Sequence, residues 1–456
     1  MNISPAPIQR RNSAQSHVLR RSLTAEQPSI VGGEGAYLID ADGNRYLDAC
    51  GGAAVSSLGH DNAAVRKAIC AQVNTMAYAH TGLFTNPWAE ELSDFLVARA
   101  PEGTGEGRVM YLGSGSEAME AALKLARQYH VERGDTGRAH IIARAPSYHG
   151  NTLGALAVSG HAGRRAPFAP LLIDVEHIDA TYGYRLRHAD ESEEDFGQRM
   201  AQQLEDRVQA LGPETVCAFV AEPVVGASLG TQPAPAGYWR RIREICDTHG
   251  IVLIADEVMC GMGRTGSLFA LEQEGVAADI TTMAKGLGAG YQPIAAVMAA
   301  QRICDGILAG SGKLWNGHTY MSHAVATAGA MAVMREIEDR DLLANVRARG
   351  AELERALRER LGDHPHVGDI RGRGLFWTTE FVADRETKAP FAPERNIAGA
   401  VQQAAMAAGM ICYPAQGCAD GTAGDHALLA PCFTSTSEEI ATIVETLAGA
   451  LDSAIR

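Results

Sequence analysis

The chain has 456 residues, of which 46% are hydrophobic and 21% charged, and its formal net charge is -14. This composition is typical of a soluble globular protein, and the length predicts two lobes rather than a single core. The negative charge argues against nucleic acid as a partner, and no apolar run in the sequence approaches the roughly 18 residues of a membrane span.

The first 30 residues carry Arg10, Arg11, Arg20 and Arg21 but lack the apolar core of a signal peptide. We expect an N-terminal arm, residues 1–30, that lies over a neighbouring subunit, with a transit peptide as the alternative. The nine cysteines are scattered and form no C-x-x-C pair. This pattern predicts buried thiols, no metal site and a reducing, cytoplasmic compartment.

Two segments of alternating polarity, AYLID and RYLDA, flank Asp42 and Gly43. Because Asp-Gly is a strong turn signal, they predict a β-hairpin. We expect this hairpin to belong to a small domain whose N-terminal part spans residues 31–70.

The apolar run 108–112 predicts a strand, and the sequence GSGSEAME follows it directly. Ser114 and Glu117 have the spacing of a capping box, which predicts the start of a helix. Glu120 and Lys124 are spaced to form an ion pair on that helix.

The start of this helix is a candidate anion site. Unpaired backbone amides and the helix dipole both favour negative charge there, so Gly115 and Ser116 are candidates to hold a phosphate. A plain helix cap without a ligand is the alternative interpretation.

Two further apolar runs end at candidate site residues. The run 140–143 leads to Tyr148, whose ring could stack on a flat heterocycle, and to His149, which could equally be a structural histidine. The run 217–221 ends at Glu222.

A carboxylate and a lysine follow the next two runs. The run 251–255 predicts a buried strand that ends at Asp256 and Glu257, and the run Ile280–Met283 leads to Lys285. At neighbouring strand ends, a lysine can hold the aldehyde of pyridoxal phosphate while a carboxylate pairs with its pyridinium nitrogen.

Two other interpretations fit parts of this stretch. Asp256 and Lys285 could form an ordinary structural ion pair. Gly261, Gly263 and Gly266 have the spacing of a dinucleotide-binding motif, but two acidic residues separate them from the strand and no clear helix follows them.

Five runs should therefore deliver Gly115, Tyr148, Glu222, Asp256 and Lys285 to one edge of a sheet. Ligands of open α/β sheets bind at the carboxyl ends of the strands. We predict an α/β fold in which a large domain contains a mostly parallel central sheet.

The pattern changes near residue 335, where a long amphipathic helix is predicted, followed by short strands and a last helix. We therefore expect the large domain to span residues 71–334. Residues 335–456 should form the C-terminal part of the small domain, which is α+β and is made from both chain ends.

The sequences DEVMCGMGRTG and TTMAKGLGAGYQPIAA resemble the cofactor signature of class III aminotransferases, pyridoxal phosphate enzymes of fold type I that include ω-amino acid and amine transaminases. The resemblance covers nearly the whole chain from about Val31. It implies that Lys285 and Asp256 are the catalytic pair and that Val258 and Tyr148 pack on the two faces of the cofactor ring.

The resemblance also implies roles for four other residues. Ala53 and Val55 match a segment that lines the substrate pocket, and Glu222 matches a glutamate that pairs with a mobile arginine. In the family segment that resembles NGHTYMSH, a threonine reaches the phosphate of the other subunit. Thr319 would have that role, which implies a homodimer, with a dimer of dimers as the larger alternative.

The sequence departs from the family near its C-terminus. Many members that use α-amino acids have an arginine just before a Pro-Pro motif. In the corresponding sequence here, HALLAPCF, Leu428 stands at the position of the arginine and Cys432 at that of the second proline. No lysine or arginine occurs in residues 396–455. Asp420 and Asp425, in the preceding loop, could attract a second ammonium group or could simply be solvated.

We therefore expect transfer of an amino group from an ω-amino acid, a diamine or an amine to a keto acid such as pyruvate. Arg264 and the N-terminal arm are candidates to bind the keto acid carboxylate. An aminomutase, a racemase and a decarboxylase of the same family are the alternatives, and a non-catalytic protein that binds pyridoxal phosphate is a further one.

Overall fold

The computed structural model describes residues 16–456. The predictions that concern Arg10 and Arg11 lie outside the described residues. No helix within residues 16–456 is long and apolar enough to cross a membrane.

The chain contains strands and helices in mixed order. The strands are β1 Ile30–Glu34, β2 Tyr37–Asp40, β3 Arg45–Asp48, β4 Arg108–Leu112, β5 His140–Ala145, β6 Glu176–Asp179, β7 Val216–Ala221, β8 Val224–Val225, β9 Gln232–Pro233, β10 Val252–Asp256, β11 Ile280–Met283, β12 Ala295–Ala299, β13 Val367–Gly372, β14 Trp377–Phe381, β15 Met410–Ile411, β16 Tyr413–Gln416 and β17 Asp425–Leu429. The α-helices are α1 Gly51–Ala54, α2 Ala63–Thr75, α3 Pro87–Ala98, α4 Gly115–Glu132, α5 Leu153–Val158, α6 Ala162–Arg165, α7 Gly183–Leu186, α8 Glu193–Leu211, α9 Tyr238–His249, α10 Gln301–Ala309, α11 Ala324–Asp339, α12 Leu342–Leu361, α13 Ile397–Ala407 and α14 Ser437–Ile455.

A seven-stranded sheet with the order β4-β12-β11-β10-β7-β5-β6 forms the centre of the molecule. Strands β6, β5, β7, β10 and β11 run parallel to one another, whereas β12 is antiparallel to both β11 and β4. The carboxyl ends of β4, β5, β7, β10 and β11 therefore meet at one edge, as predicted. This arrangement confirms the predicted α/β fold class.

Helices cover both faces of this sheet. Along β7, Val220 packs in a cluster with α4 and α10, and its neighbour Phe219 packs in another cluster with α8 and α9. Because successive side chains of a strand point to opposite faces, a strand covered on both sides must be apolar throughout. This requirement explains why the central strands have no polar alternation in the sequence.

Two four-stranded sheets lie outside the central one, with the orders β1-β2-β3-β15 and β13-β14-β17-β16. The predicted hairpin is formed by β2 and β3, and Gly43 in its turn has a φ of +84°. Strand β15 pairs in parallel with β3, so the two ends of the chain share one sheet.

Two local predictions were wrong. The long helix expected near residue 335 is two helices, α11 and α12, separated at Asp341, whose φ is +46°. The predicted pair of Glu120 and Lys124 is also absent, since Glu120 accepts hydrogen bonds from the backbone of residues 154–155 and Lys124 donates to Asn316.

Candidate functional site

A cavity of about 310 Å³ opens at the carboxyl edge of the central sheet. Its wall contains most of the predicted site residues, namely Val55, Gly115, Ser116, Tyr148, His149, Glu222, Asp256, Val258 and Lys285. Because these residues follow different strands, their convergence is produced by the parallel strand order and not by proximity in the sequence.

One wall of the cavity is the start of α4. The side chain of Ser114 accepts a hydrogen bond from the amide of Glu117, as predicted for a capping box. The reciprocal bond goes to a different residue, because Glu117 accepts from the amide of Gly113 over 2.7 Å and not from Ser114. The remaining amides at the start of α4 face the cavity as candidate anion donors.

Two glycine positions keep this wall close to the cavity. A Cβ atom at Gly115 would lie 2.9 Å from Cγ1 of Val258, and a Cβ at Gly150 would lie 2.7 Å from Oγ of Ser116. Larger side chains would therefore displace two residues that line the cavity.

Asp256 lies at the end of β10 and is 3% exposed. Its Oδ1 accepts hydrogen bonds from the amide of Val258 over 3.0 Å and from the hydroxyl of Thr282 over 3.3 Å. Its Oδ2 accepts from Nδ1 of His149 over 2.7 Å. Several donors thus hold the carboxylate in one orientation at the cavity wall.

A buried charged network continues behind Asp256. Nε2 of His149 lies 3.9 Å from Oε2 of Glu222, which lies 3.8 Å from Nη2 of Arg144. Burial lowers the pKa of His149, but Glu222 and Asp256 raise it by more, so that it is raised overall. Burial raises the pKa of Glu222 despite the nearby positive charges of His149 and Arg144.

Lys285 follows β11 and lines the same cavity. Burial lowers its pKa to about 8, although the negative charge of Asp256 acts in the opposite direction. Its φ of +44° lies in the left-handed region, which residues other than glycine adopt rarely and which is associated with functional sites. A lysine with this pKa is partly present as the free amine near neutral pH.

Tyr148 lines the cavity with its ring, and Arg164 covers that ring. The guanidinium carbon of Arg164 lies 4.6 Å from the ring centroid, within the range of a cation–π contact. The backbone amide of Tyr148 donates to Glu222 over 3.1 Å, which fixes the tyrosine relative to the end of β7.

Three predicted residues do not reach the cavity wall within this chain. Ala53 lies beside Val55 but outside the wall, and Thr319 is exposed, with its carbonyl accepting from the hydroxyl of Tyr78. Leu428 is fully buried in β17, where it packs against Phe376. The strand directs Leu428 into the core, so it is not placed to contact substrate.

The other residues considered for charged substrates are also engaged elsewhere. Arg264 is buried and donates to the carbonyls of Leu375 and Pro431. Asp425 is buried and accepts from the amide of Ala398, so it does not face an entrance. Asp420 is exposed and accepts from the amides of residues 422 and 423 in its own loop.

Sequence reasoning missed several cavity residues. Gln292, Pro293 and Ile294 line the cavity because the antiparallel β12 begins at the edge where the parallel strands end. Met259 follows Val258 on the same loop. All four residues lie within the two sequences that resemble the family signature, but that resemblance gave a role only to their neighbour Val258.

The residues of the cavity fit pyridoxal phosphate. Lys285 could hold the aldehyde, Asp256 could pair with the ring nitrogen, and the start of α4 could bind the phosphate. Two buried atoms of the wall, Nε2 of His149 and Oε2 of Glu222, lack hydrogen-bond partners within residues 16–456. Together, fold and cavity define a pyridoxal phosphate enzyme of fold type I.

Comparison with known proteins gives the family. The model of the family described as aminotransferase class-III matches residues 23–451. An aminotransferase of Gibberella zeae is 44% identical over 430 residues, which cover 93% of this chain and 83% of that protein. The chain therefore belongs to the class III aminotransferases and is a pyridoxal phosphate-dependent transaminase, which confirms the expectation from the sequence.

Other similar proteins carry more specific names. A diaminobutyrate–2-oxoglutarate transaminase of Halomonas elongata is 33% identical over 421 residues, covering 91% of this chain and 88% of that protein. The crystal structure of an ω-transaminase from Pseudomonas jessenii in complex with PMP superposes with a TM-score of 0.88 at 34% identity, covering 94% of this chain and 93% of that one.

Proposed function

We propose that this aminotransferase takes its amino group from an ω-amino acid, a diamine or a simple amine and gives it to a keto acid such as pyruvate. The observation that carries the proposal is the composition of the cavity wall. Among the described residues that line it, Lys285 is the only lysine or arginine. An α-carboxylate on the donor would therefore have no partner in the wall itself, and an unpaired buried charge costs several kcal/mol.

The names of similar proteins support this donor class. One of these proteins is named for diaminobutyrate, which carries two amino groups, and the other is named an ω-transaminase. The open wall near Val55, Met259 and Ile294 is apolar, which suits an apolar substituent on the reacting carbon.

Lys285 and Asp256 have the central roles in this proposal. When bound, pyridoxal phosphate supplies an aldehyde that accepts the amino group and a ring that withdraws electrons from the reacting carbon. Lys285 would hold that aldehyde and, as a free amine, would move the proton of the reacting carbon to the former aldehyde carbon. Asp256 stabilises the protonated ring nitrogen through its oriented carboxylate.

Four other residues position the cofactor. Val258 and Tyr148 pack against the two faces of the ring, and Gly115 and Ser116 bind the phosphate through the start of α4. His149 fixes Asp256 through its hydrogen bond, and the carboxylate of Glu222 favours the protonated form of His149. In this proposal Ala53 and Leu428 shape the pocket from behind the wall and do not contact the substrate.

We also propose that the active unit is a homodimer, with Thr319 binding the phosphate in the partner's site. Thr319 is exposed and lies among exposed apolar side chains, since Leu314 is 50%, Trp315 79% and Tyr320 67% exposed. Such a patch on a globular protein is typical of an interface. A dimer of dimers remains the larger alternative.

We also propose the domain boundaries and the cellular compartment of the protein from structural observations. The central sheet falls within the expected large domain of residues 71–334, and the pairing of β3 with β15 supports a small domain formed by residues 31–70 and 335–456. All nine cysteines are free thiols, which supports a reducing, cytoplasmic compartment.

A panel of amino donors with pyruvate as acceptor tests the proposed function. We expect terminal amines, diamines and ω-amino acids to give higher kcat/KM than glutamate or the α-amino group of ornithine. Alanine should react as the reverse partner of pyruvate. Preference for glutamate would contradict the donor class, and release of carbon dioxide, or turnover without any keto acid, would indicate a different reaction.

A further inference from the structure

The proposed acceptor needs a cation that the cavity wall does not contain. A keto acid enters with a carboxylate, and among residues 16–456 the only cationic side chain of the wall is that of Lys285, which we assign to the cofactor aldehyde. A forked arginine is the usual partner of such a carboxylate because it donates two parallel hydrogen bonds. The arginines close to the cavity are therefore the candidates.

Two of these arginines are already engaged. Arg264 is fully buried, donates to the carbonyls of Leu375 and Pro431, and packs over the ring of Phe433. Arg144 is fully buried behind Glu222 and donates to the carbonyl of that residue. Neither can reach a ligand without breaking a buried network.

Arg164 is different because its side chain is partly exposed and is not held by a buried network. It lies in the last turn of α6, and its guanidinium covers the ring of Tyr148, which lines the cavity. Its side chain makes no ion pair and no hydrogen bond within residues 16–456. A cation that contacts only an aromatic ring is poorly neutralised and remains available to an anion.

The surroundings of Arg164 place it near the reacting atoms. Its positive charge is close enough to contribute to the lowered pKa of Lys285. The short helix α6 also contacts the loop before β17, since a Cβ at Gly421 would lie 3.1 Å from the Cβ of Ala162. The guanidinium therefore lies beside the ring of a cavity-wall residue, on a helix that contacts this loop.

We propose that Arg164 binds the carboxylate of the keto acid acceptor, moving from the face of Tyr148 into the mouth of the cavity when the acceptor enters. The inference rests on the proposed function, because it assumes that a keto acid is the acceptor. With an amine donor, Arg164 stays on the ring of Tyr148, so one cavity accepts both an uncharged substituent and a carboxylate.

The neighbouring Arg165 provides a matched control. It is the next residue of the same short helix, but its charge lies near His177, whose pKa it lowers. Arg165→Gln therefore removes the same charge from the same helix without removing the guanidinium over Tyr148. Arg164→Lys keeps the charge but loses the planar fork.

The test uses the holoenzyme after it has been converted to its aminated form with a simple amine. The rate of a single turnover is then followed in the visible spectrum against the concentration of pyruvate or of butanal, which has no carboxylate. For Arg164→Gln we expect the apparent dissociation constant of pyruvate to rise by about tenfold to a hundredfold, as for the loss of hydrogen bonds to a charged group. The apparent dissociation constant of butanal should change by less than about twofold.

Arg165→Gln should resemble the wild type with both acceptors, and Arg164→Lys should recover part of the affinity for pyruvate. The inference is overturned if Arg164→Gln leaves the pyruvate constant unchanged. It is also overturned if the substitution raises the apparent dissociation constants of pyruvate and butanal by the same factor, since Arg164 would then act through Tyr148 or the fold.

The affinity for propionate, a carboxylate without the reactive ketone, separates the two proposals. If the wild type reacts with butanal but with no keto acid, the proposed acceptor is wrong. Calorimetry with propionate still decides the role of Arg164 in that case: weaker binding to Arg164→Gln than to the wild type supports a carboxylate site, and equal binding contradicts it.

Discussion

His149 donates a hydrogen bond from Nδ1 to Oδ2 of Asp256 over 2.7 Å, and both side chains are buried. The other nitrogen of the imidazole faces Glu222 at 3.9 Å. A histidine between two carboxylates is favoured in its protonated form, which agrees with its raised pKa. We infer that His149 keeps the carboxylate of Asp256 oriented.

His149→Phe should lower both the stability of the apo-protein and the rate of the reaction with an amine donor. Loss of a hydrogen bond to a charged group costs about 1–3 kcal/mol in the free energy of unfolding. His149→Asn is the matched control, because its side-chain amide can still donate to Asp256. Equal losses in both variants would show that the charge facing Glu222, and not the bond to Asp256, is the important feature.

The stability effect of His149 should depend on pH. A histidine with a raised pKa in the folded state contributes stability that is fully present below its unfolded pKa and is lost as the pH rises through the folded pKa. The difference between the wild type and His149→Phe should therefore be largest below the ordinary histidine pKa of about 6.5 and should shrink as the pH rises above it. Urea unfolding of the apo-proteins measures it, and a difference that grows with pH would contradict the charged histidine.

Lys285→Ala should abolish transamination while leaving the fold and the assembly intact, because no other lysine or arginine lines the cavity within the described residues. Borohydride reduction of the wild-type holoenzyme should attach the cofactor to the peptide that contains Lys285. Attachment to Lys313 or to any other lysine would refute the assignment. Circular dichroism and size-exclusion chromatography of the variant provide the control for folding.

The lowered pKa of Lys285 predicts how fast the apo-protein captures pyridoxal phosphate. Only the free amine attacks the aldehyde, so the capture rate should rise with pH and level off above a midpoint near the pKa of about 8. Stopped-flow absorbance measures this rate. A midpoint near the value of an exposed lysine, about 10.4, would show that burial does not lower the pKa.

The strand ends could be predicted from the sequence because each buried strand is a short apolar run followed at once by a polar residue. Strand β12 has the same kind of apolar run, but its direction is set by its pairing with β4 and β11. That pairing cannot be predicted from the residues of β12 alone. Consequently, Asp256 and Lys285 were found in advance, whereas Gln292 and Pro293 were not.

Interactions with distant parts of the chain explain the local errors. A helix ion pair of Glu120 and Lys124 contributes only about 0.2–0.5 kcal/mol. The buried amides of residues 154–155 and the side chain of Asn316 offer these two residues partners from other elements. The position of Arg164 over Tyr148 likewise depends on tertiary structure, so the sequence alone gave no reason to select it.

Subunit exchange between Lys285→Ala and Thr319→Ala proteins should restore activity if each site is built from two chains. In the mixed dimer, one site then carries both lesions and the other carries neither. Thr319 is exposed and contacts Tyr78 only through its carbonyl, so Thr319→Ala removes no hydrogen bond of the hydroxyl within residues 16–456. Absence of recovery despite demonstrated exchange would count against the shared site.

Gly115→Ala should weaken the binding of pyridoxal phosphate. The new Cβ would lie 2.9 Å from Cγ1 of Val258, so Val258 must move toward the cavity in which we place the cofactor ring. Overpacking of this kind typically costs about 1–3 kcal/mol, here divided between the free energy of unfolding and the binding of the cofactor. Absorbance titration of the apo-protein gives the dissociation constant, and urea unfolding gives the stability.

Gly449→Ala is the matched control for this substitution. Gly449 lies in α14, and a Cβ there would meet no atom within 4 Å. Replacement of glycine by alanine inside a helix stabilises it by about 0.5–1 kcal/mol, so this variant should be slightly more stable and should bind the cofactor as the wild type does. If Gly115→Ala also binds pyridoxal phosphate with unchanged affinity, the contact with Val258 does not limit the space for the ring. The proposed position of the ring against Val258 would then have to be abandoned.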